Sequence, residues 1–229
     1  MYSRKLRVMP SDASLTGHIK LYNLLNYFQD TAELAVEGIE GKSSELSAEG
    51  YAWEVTRYEI SRFRELPKLS DEFTISTYHD PHHSYNCLRM FHVKIGGIEI
   101  LRAKTAWVLV DLNKGKPVKP IAHLPEITTV NITEIDGEFH DIPRIIKPTL
   151  REKLHVKYHD TDYNGHVNHA IYFRWIFDLL NKPLRRIYAS FRNGAKLGEQ
   201  LIIEQENNTF EIIKADNEKL CASFLIESD

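Results

Sequence analysis

The feature that most constrains this chain is a pattern that occurs twice. Val8-x3-Asp12-x4-Gly17-His18-x11-Asp30 recurs as Val156-x3-Asp160-x4-Gly165-His166-x11-Asp178. Downstream, Phe63-Arg64-x3-Lys68-Leu69 recurs as Phe191-Arg192-x3-Lys196-Leu197, with about 20 more residues between the two marks in the first copy. Such a repeat implies one structural unit built twice, so the fold is one that half of the 229 residues can form.

The order of elements repeats as well. A first helix is expected from about Gly17 to Gly38, where Leu21, Leu24, Leu25, Phe28, Ala32 and Leu34 recur at helical spacing. A second is expected from Asn164 or Gly165 to Asn181. Tyr172, Trp175, Ile176, Leu179 and Leu180 form its apolar side, and Pro183 stops it. Most of the remainder reads as strand: Trp53–Phe63, Glu72–Tyr78, Leu88–Ile95 and Ile98–Leu112, then Arg186–Arg192, Gln200–Glu206, Thr209–Lys214 and Leu220–Glu227. Gly96-Gly97 marks a hairpin turn. Leu124–Pro148 has no periodicity and holds Pro125, Gly137, Pro143 and Pro148. The expected organisation is a first unit over 1–130, a linker over 131–148 and a second unit over 149–229. Each half is a short strand, a helix and an antiparallel meander. A sheet wrapped around one long helix buries that helix on most sides, which suits a largely apolar helix. This is an α+β hotdog unit, and two in one chain make a double hotdog.

Composition narrows the function. There are 29 basic and 32 acidic side chains, for a net charge of -3, so the basic excess of a general nucleic-acid binder is missing. No apolar run reaches the ~18 residues of a membrane span. Met1-Tyr2-Ser3-Arg4-Lys5 leads into no apolar stretch, so no secretory signal is expected and the cytoplasm is the expected compartment. Cys87 and Cys221 make neither a disulfide framework nor a metal motif and are expected to be buried apolar residues.

The densest polar cluster is His159-Asp160-Thr161-Asp162-Tyr163-Asn164-Gly165-His166-Val167-Asn168-His169, at the entrance to the second helix. Three readings compete. In a hydrolytic site without metal, His166 is the base, Asp162 orients it or holds water, and Asn164 positions water or substrate. Backbone N–H groups near Gly165 and His166, at the positive end of the helix, then hold an oxyanion. In a metal site, His159, Asp160, His166 and His169 are the ligands, although no zinc spacing such as H-E-x-x-H is present. In the third reading, Asp160, Asp162 and Asn164 cap the helix.

The repeat supplies an internal control. Opposite Asp162, Asn164 and Asn168 the first copy has Ser14, Thr16 and Lys20, while His18 stands opposite His166. Serine and threonine can cap a helix but supply neither carboxylate nor amide. One active site, in the C-terminal half, is expected.

The run Asp162-Tyr163-Asn164-Gly165-His166-Val167-Asn168, followed by Tyr172 and Trp175, resembles the D-x-N-x-H-V-N-x3-Y-x2-W segment of bacterial acyl-acyl-carrier-protein thioesterases. Ala103-Lys104-Thr105-Ala106-Trp107-Val108-Leu109-Val110-Asp111, with Pro117 and Lys119-Pro120, resembles the family's A-x-T-x-W-V-x-x-D strand and K-P turn. Trp53, Arg57, Tyr58, Thr77-Tyr78 and Arg89-x-Phe91 fit the family's first hotdog.

The resemblance implies hydrolysis of fatty acyl-acyl carrier protein (acyl-ACP) to free acid, without cofactor or metal, with Asp162, Asn164 and His166 as catalytic residues and Asn168 in support. It also implies a glutamate on the strand after the helix, in a Y/F-x-x-E pattern. That segment here reads Phe191-Arg192-Asn193-Gly194-Ala195, and no Glu lies within Tyr188–Leu197. Gly194 stands where the glutamate is expected, and Asn193 beside it is a candidate water holder. The alternatives are an acyl-CoA thioesterase and a non-catalytic acyl-binding hotdog. An acyl pocket would be lined by the first helix, Leu21–Leu34, and Trp53. A docking face for the acidic carrier would draw on Arg144, Lys147, Lys182, Arg185, Arg186, Arg192 and Lys196. A homodimer of such chains is compatible with the repeat. His79, His82 and His83 are expected in a loop.

Overall fold

The computed structural model describes residues 1–37, 42–129, 131–180 and 184–228. The chain forms two compact units, Met1–Val55 with Ile60–Glu138 and Thr56–Glu59 with Phe139–Asp229. The aperiodic segment is no separate linker: 131–138 belongs to the first unit and 139–148 to the second. Ile135 shows why, because it is buried and its N–H donates to the Asp80 carboxylate at 3.0 Å.

The first unit holds β1 (Tyr2–Arg7), α1 (Leu21–Glu37), α2 (Lys42–Ala48), β2 (Tyr51–Arg62), β3 (Glu72–His83), β4 (Asn86–Ile95), β5 (Ile98–Asp111), β6 (Lys116–Val118) and the single turn α3 (Pro120–His123). Its strands lie in the order β1-β3-β4-β5-β2, with β6 on β5, and Thr56–Glu59 of β2 count with the second unit. Gly96 and Gly97 both have positive φ, as the tight β4–β5 hairpin requires. The α1 helix lays Leu24, Leu25 and Phe28 into the core, and Phe28 stacks on Phe91 of β4 with centroids 4.6 Å apart. The buried stripe continues through Thr31, Ala35 and Val36, not through Leu34, which is exposed. Thr31 tolerates burial because its hydroxyl donates to the Tyr27 carbonyl at 2.6 Å. The helix starts at Leu21, since Gly17, at φ +78, is held in a turn. Gly38, its expected end, lies outside the described residues.

The second unit holds β7 (Leu150–His155), α4 (His169–Asp178), β8 (Leu184–Phe191), β9 (Gln200–Glu206), β10 (Thr209–Lys214) and β11 (Leu220–Ser228). The strand order is β8-β11-β10-β9-β7, antiparallel throughout. Phe173 of α4 is fully buried, edge-on to Phe224 at 5.1 Å and tilted against Phe191 at 5.9 Å. Ala170, Tyr172, Trp175 and Ile176 are buried with it. Leu179 and Leu180 are only partly buried, beyond the helix end. Asn181 and Pro183 lie outside the described residues. The helix is shorter at its start than expected, because 161–168 folds as a turn first.

The repeat holds bond by bond. Ser14 N–H donates to the His18 carbonyl, and Asp162 N–H to that of His166, both at 2.8 Å. Ile19 N–H meets the Pro67 carbonyl and Val167 N–H that of Ala195, again both at 2.8 Å. Asp12 accepts from Met9 N–H and Asp160 from Lys157 N–H, each at 2.9 Å. Of the shared residues, Asp12 and Asp160 make these bonds through their side chains and His18 and His166 through their carbonyls, while the other partners act through backbone groups and need no identity.

Candidate active site

Asp162, Asn164, Gly165 and His166 lie together in one tight turn between a short 3₁₀ turn (Tyr158–Asp160) and α4. Two backbone bonds close it: Asp162 N–H to the His166 carbonyl at 2.8 Å, and Gly165 N–H to the Asp162 carbonyl at 3.0 Å. The second needs the left-handed backbone of Gly165, at φ +76. Thr161 and Val167 bridge at its base. The Asp162 carboxylate accepts the Asn164 N–H at 2.9 Å. Burial raises the Asp162 carboxyl above the usual range, opposed by backbone hydrogen bonds from Asn164 and His166 and by the nearby His166 imidazole. Asp162, Asn164 and His166 are all half-buried, so the turn is open to a reactant on one side.

The expected source of oxyanion donors is corrected. The helix starts at His169, so Gly165 and His166 are not first-turn helix amides, and the Gly165 N–H is committed to Asp162. Free helix amides would need the turn to continue the helix, and the left-handed Gly165 prevents that.

Other members of the cluster have separate tasks. Asn168 is the cap of α4, its side chain accepting from Ala170 N–H at 2.9 Å. Asp160 pairs with Arg174 of α4 at 2.7 Å and does not cap that helix. His159 packs edge-on to Tyr158. His169 stacks on Tyr58 and shares a 3.3 Å hydrogen bond with its hydroxyl, and burial lowers its imidazole to about 4. The four candidate metal ligands therefore diverge, and no group of three such side chains gathers among the described residues.

Gly194 lies beyond the end of β8, not on it. An added Cβ there would stand 2.9 Å from Cδ2 and 3.1 Å from Cγ of His166. Asn193 beside it donates from Nδ2 to the Leu220 carbonyl at 2.7 Å, so that nitrogen is tied to the scaffold. The Ala195 peptide is held from both sides: its N–H donates to the Tyr172 hydroxyl at 3.0 Å and its carbonyl accepts from Val167 N–H. Sequence reasoning noted Tyr172 as a helix-face residue and missed this bond. It also missed the His169–Tyr58 pair, for which local spacing carries no signal.

The His79, His82 and His83 group is not in a loop. It ends β3, where the Asp80 carboxylate accepts from the rings of His82 and His83, both at 3.0 Å, and from two backbone amides. Burial would raise Asp80, yet these donors hold it at about 2. Of the expected basic face, Arg144 pairs with the buried Glu211 at 2.7 Å and Arg186 lies 3.8 Å from Glu227. Arg192 and Lys196, either side of Gly194, are exposed. Lys182 lies outside the described residues.

Comparison with known proteins bears on the fold and the family. The model of the acyl-ACP thioesterase N-terminal domain matches residues 1–127, and that of the C-terminal domain matches residues 145–228. Among solved structures, an acyl-ACP thioesterase from Bacteroides thetaiotaomicron is 23% identical with a TM-score of 0.83, covering 99% of this chain and 97% of its own. The 12:0-ACP thioesterase from Umbellularia californica is 15% identical with a TM-score of 0.84, covering 100% and 96%. A 1,4-dihydroxy-2-naphthoyl-CoA thioesterase from Synechocystis, 12% identical with a TM-score of 0.50, covers 55% of this chain and 93% of its own. At these identities the structures establish the fold alone. No curated protein matches the sequence. No helix among the described residues is long and apolar enough to cross a membrane. The two domain matches together span most of the chain, and the chain belongs to the acyl-ACP thioesterase family.

Proposed function

We infer that the chain hydrolyses the thioester of a fatty acyl group carried on acyl carrier protein, releasing the free acid and the carrier thiol. The observation that carries this reading is the Asp162–His166 turn, which gathers an imidazole, a carboxylate and a primary amide within the C-terminal family domain. The His166 imidazole takes a proton from water as the water oxygen attacks the thioester carbonyl carbon. The Asn164 side-chain amide donates to the carbonyl oxygen as it gains negative charge, a type of contact worth about 2.7–4 kcal/mol. The nearby Asp162 carboxylate steadies the imidazolium. Collapse of the tetrahedral intermediate breaks the C–S bond, and the imidazolium returns its proton to the departing thiolate.

Arg192 and Lys196, exposed on either side of Gly194, suit the approach of an acidic carrier protein. The proposed compartment is the cytoplasm. Both cysteines are buried free thiols, and burial pushes Cys87 up to about 12 and Cys221 up to about 11, which makes them poor redox partners.

The test is thiol release from a chain-length series of acyl-ACP substrates by the purified protein. His166→Ala is expected to lower kcat by about 10²–10⁴-fold. A His166→Ala protein as active as the parent would overturn the assignment. No turnover by the parent would favour acyl binding without catalysis, and preference for acyl-CoA at equal concentration would change the carrier.

A further inference from the structure

We propose that Gly194 is a positioning residue for this hydrolysis. On this chain's backbone its missing side chain forms the seat for the His166 imidazole, and a Cβ added there displaces that ring from its place in the turn. The proposal rests on the reading of the turn as the hydrolytic site.

Space, not backbone conformation, is what requires glycine here. Gly165 and Gly198 have positive φ and nothing within 4 Å of an added Cβ. Gly194 has no positive φ, and its added Cβ would meet three His166 atoms: Cδ2 at 2.9 Å, Cγ at 3.1 Å and Cβ at 3.4 Å. Contacts that short force something to move. The backbone around Gly194 is the poorer candidate. The Arg192 N–H donates to the Cys221 carbonyl at 2.9 Å, Asn193 Nδ2 to Leu220, and the Ala195 peptide is bonded on both sides. The His166 ring is half-buried and no hydrogen bond to a protein group holds it among the described residues, so the ring yields.

The first unit shows the other solution. The bond from Ile19 N–H to Pro67 matches that from Val167 N–H to Ala195, which places Leu66 opposite Gly194 and Glu65 opposite Asn193. With a side chain at that position, His18 is held at one nitrogen: its Nδ1 lies 3.1 Å from the Thr16 hydroxyl, while its Nε2 lies 3.7 Å from the Glu65 carboxylate, beyond hydrogen-bond range. The second unit has exchanged such partners for a bare backbone surface. The ring is located by shape, and its nitrogens are left for water and substrate.

Gly194→Ala is expected to lower kcat about 10–100-fold, the scale of a misplacement of about 1 Å, with KM near that of the parent and an altered pH–rate profile. Gly137→Ala is the control. Its added Cβ would meet His83 Nδ1 at 3.1 Å, a similar glycine–histidine contact away from the turn, and it is expected to leave kcat and the profile unchanged. A thermal double-mutant cycle needs no turnover. Gly194→Ala should lower Tm in the parent and leave it unchanged in a His166→Ala background, where the ring is gone. If the single variant fails to fold, folding of the double variant supports the seat. A Gly194→Ala enzyme with parental kcat and pH profile overturns the proposal. So does an equal Tm loss in both backgrounds, or a double variant that also fails to fold. A parent protein that hydrolyses no acyl-ACP refutes the proposed function, while the thermal cycle still decides the seat.

Discussion

Burial raises the Asp162 carboxyl even though the Asn164 and His166 amides favour its charged form. The folded state therefore binds this proton more tightly than the unfolded chain does. The stabilising contribution is present at acid pH and is lost as pH rises through the carboxylate range, so at neutral pH the ionised Asp162 works against folding. Asp162→Asn keeps an oxygen that can accept the Asn164 N–H and removes the charge. Its Tm relative to the parent should be higher near pH 7 than near pH 4, while kcat falls, because the imidazolium loses its counter-charge. Melting curves at the two pH values check this, and an offset that ignores pH contradicts it. At this scale the sequence already named Asp162, Asn164 and His166 and flagged Gly194 as a departure. It did not show that Gly194 touches His166, because the two residues are far apart in sequence and the contact depends on the folded backbone.

Elements were read well where periodicity is strong. Gln200–Glu206 and Thr209–Lys214 were expected as strands and occur with those bounds. The helices start later than expected, at Leu21 and His169, because Gly17 and Gly165 adopt left-handed turns and not helix. β3 runs past the expected end at Tyr78 to His83. Histidine and aspartate resemble loop residues in isolation, yet Asp80 gathers enough donors to be buried at the strand end. His79, on the same strand, is buried with Nε2 donating to the Ile127 carbonyl at 2.8 Å and Nδ1 without a hydrogen-bond partner among the described residues. Desolvation lowers its imidazole from 6.5 to about 4. The unfolded chain thus takes up this proton first, so the stability contribution is present above the ordinary value and is lost as pH falls towards about 4. His79→Gln cannot titrate. Its urea midpoint should fall less steeply than the parent's between about pH 6.5 and pH 4, and parallel slopes would contradict that.

For the whole molecule, duplication has kept one turn and changed the side chains it presents. Both units keep the turn, its closing bonds and its histidine. Only the second carries a carboxylate and a side-chain amide, Asp162 and Asn164, within the turn itself. In the first, Ser14 and Thr16 share a 3.0 Å hydrogen bond and Thr16 reaches His18. His18→Ala should accordingly retain kcat within about twofold, against the loss expected for His166→Ala. A comparable loss for His18→Ala in the same acyl-ACP assay would mean that both copies act. The sequence by itself determined the duplication and the hotdog class, and it singled out the C-terminal half for the proposed site. Those properties reside in spacing and residue type, which survive without coordinates. Only the tertiary structure decided where the helices begin, which amides are already committed, and that the His166 ring rests against Gly194. Each of these depends on backbone segments distant in sequence being brought within bonding or van der Waals range by long-range hydrogen bonds, and no local pattern encodes that distance.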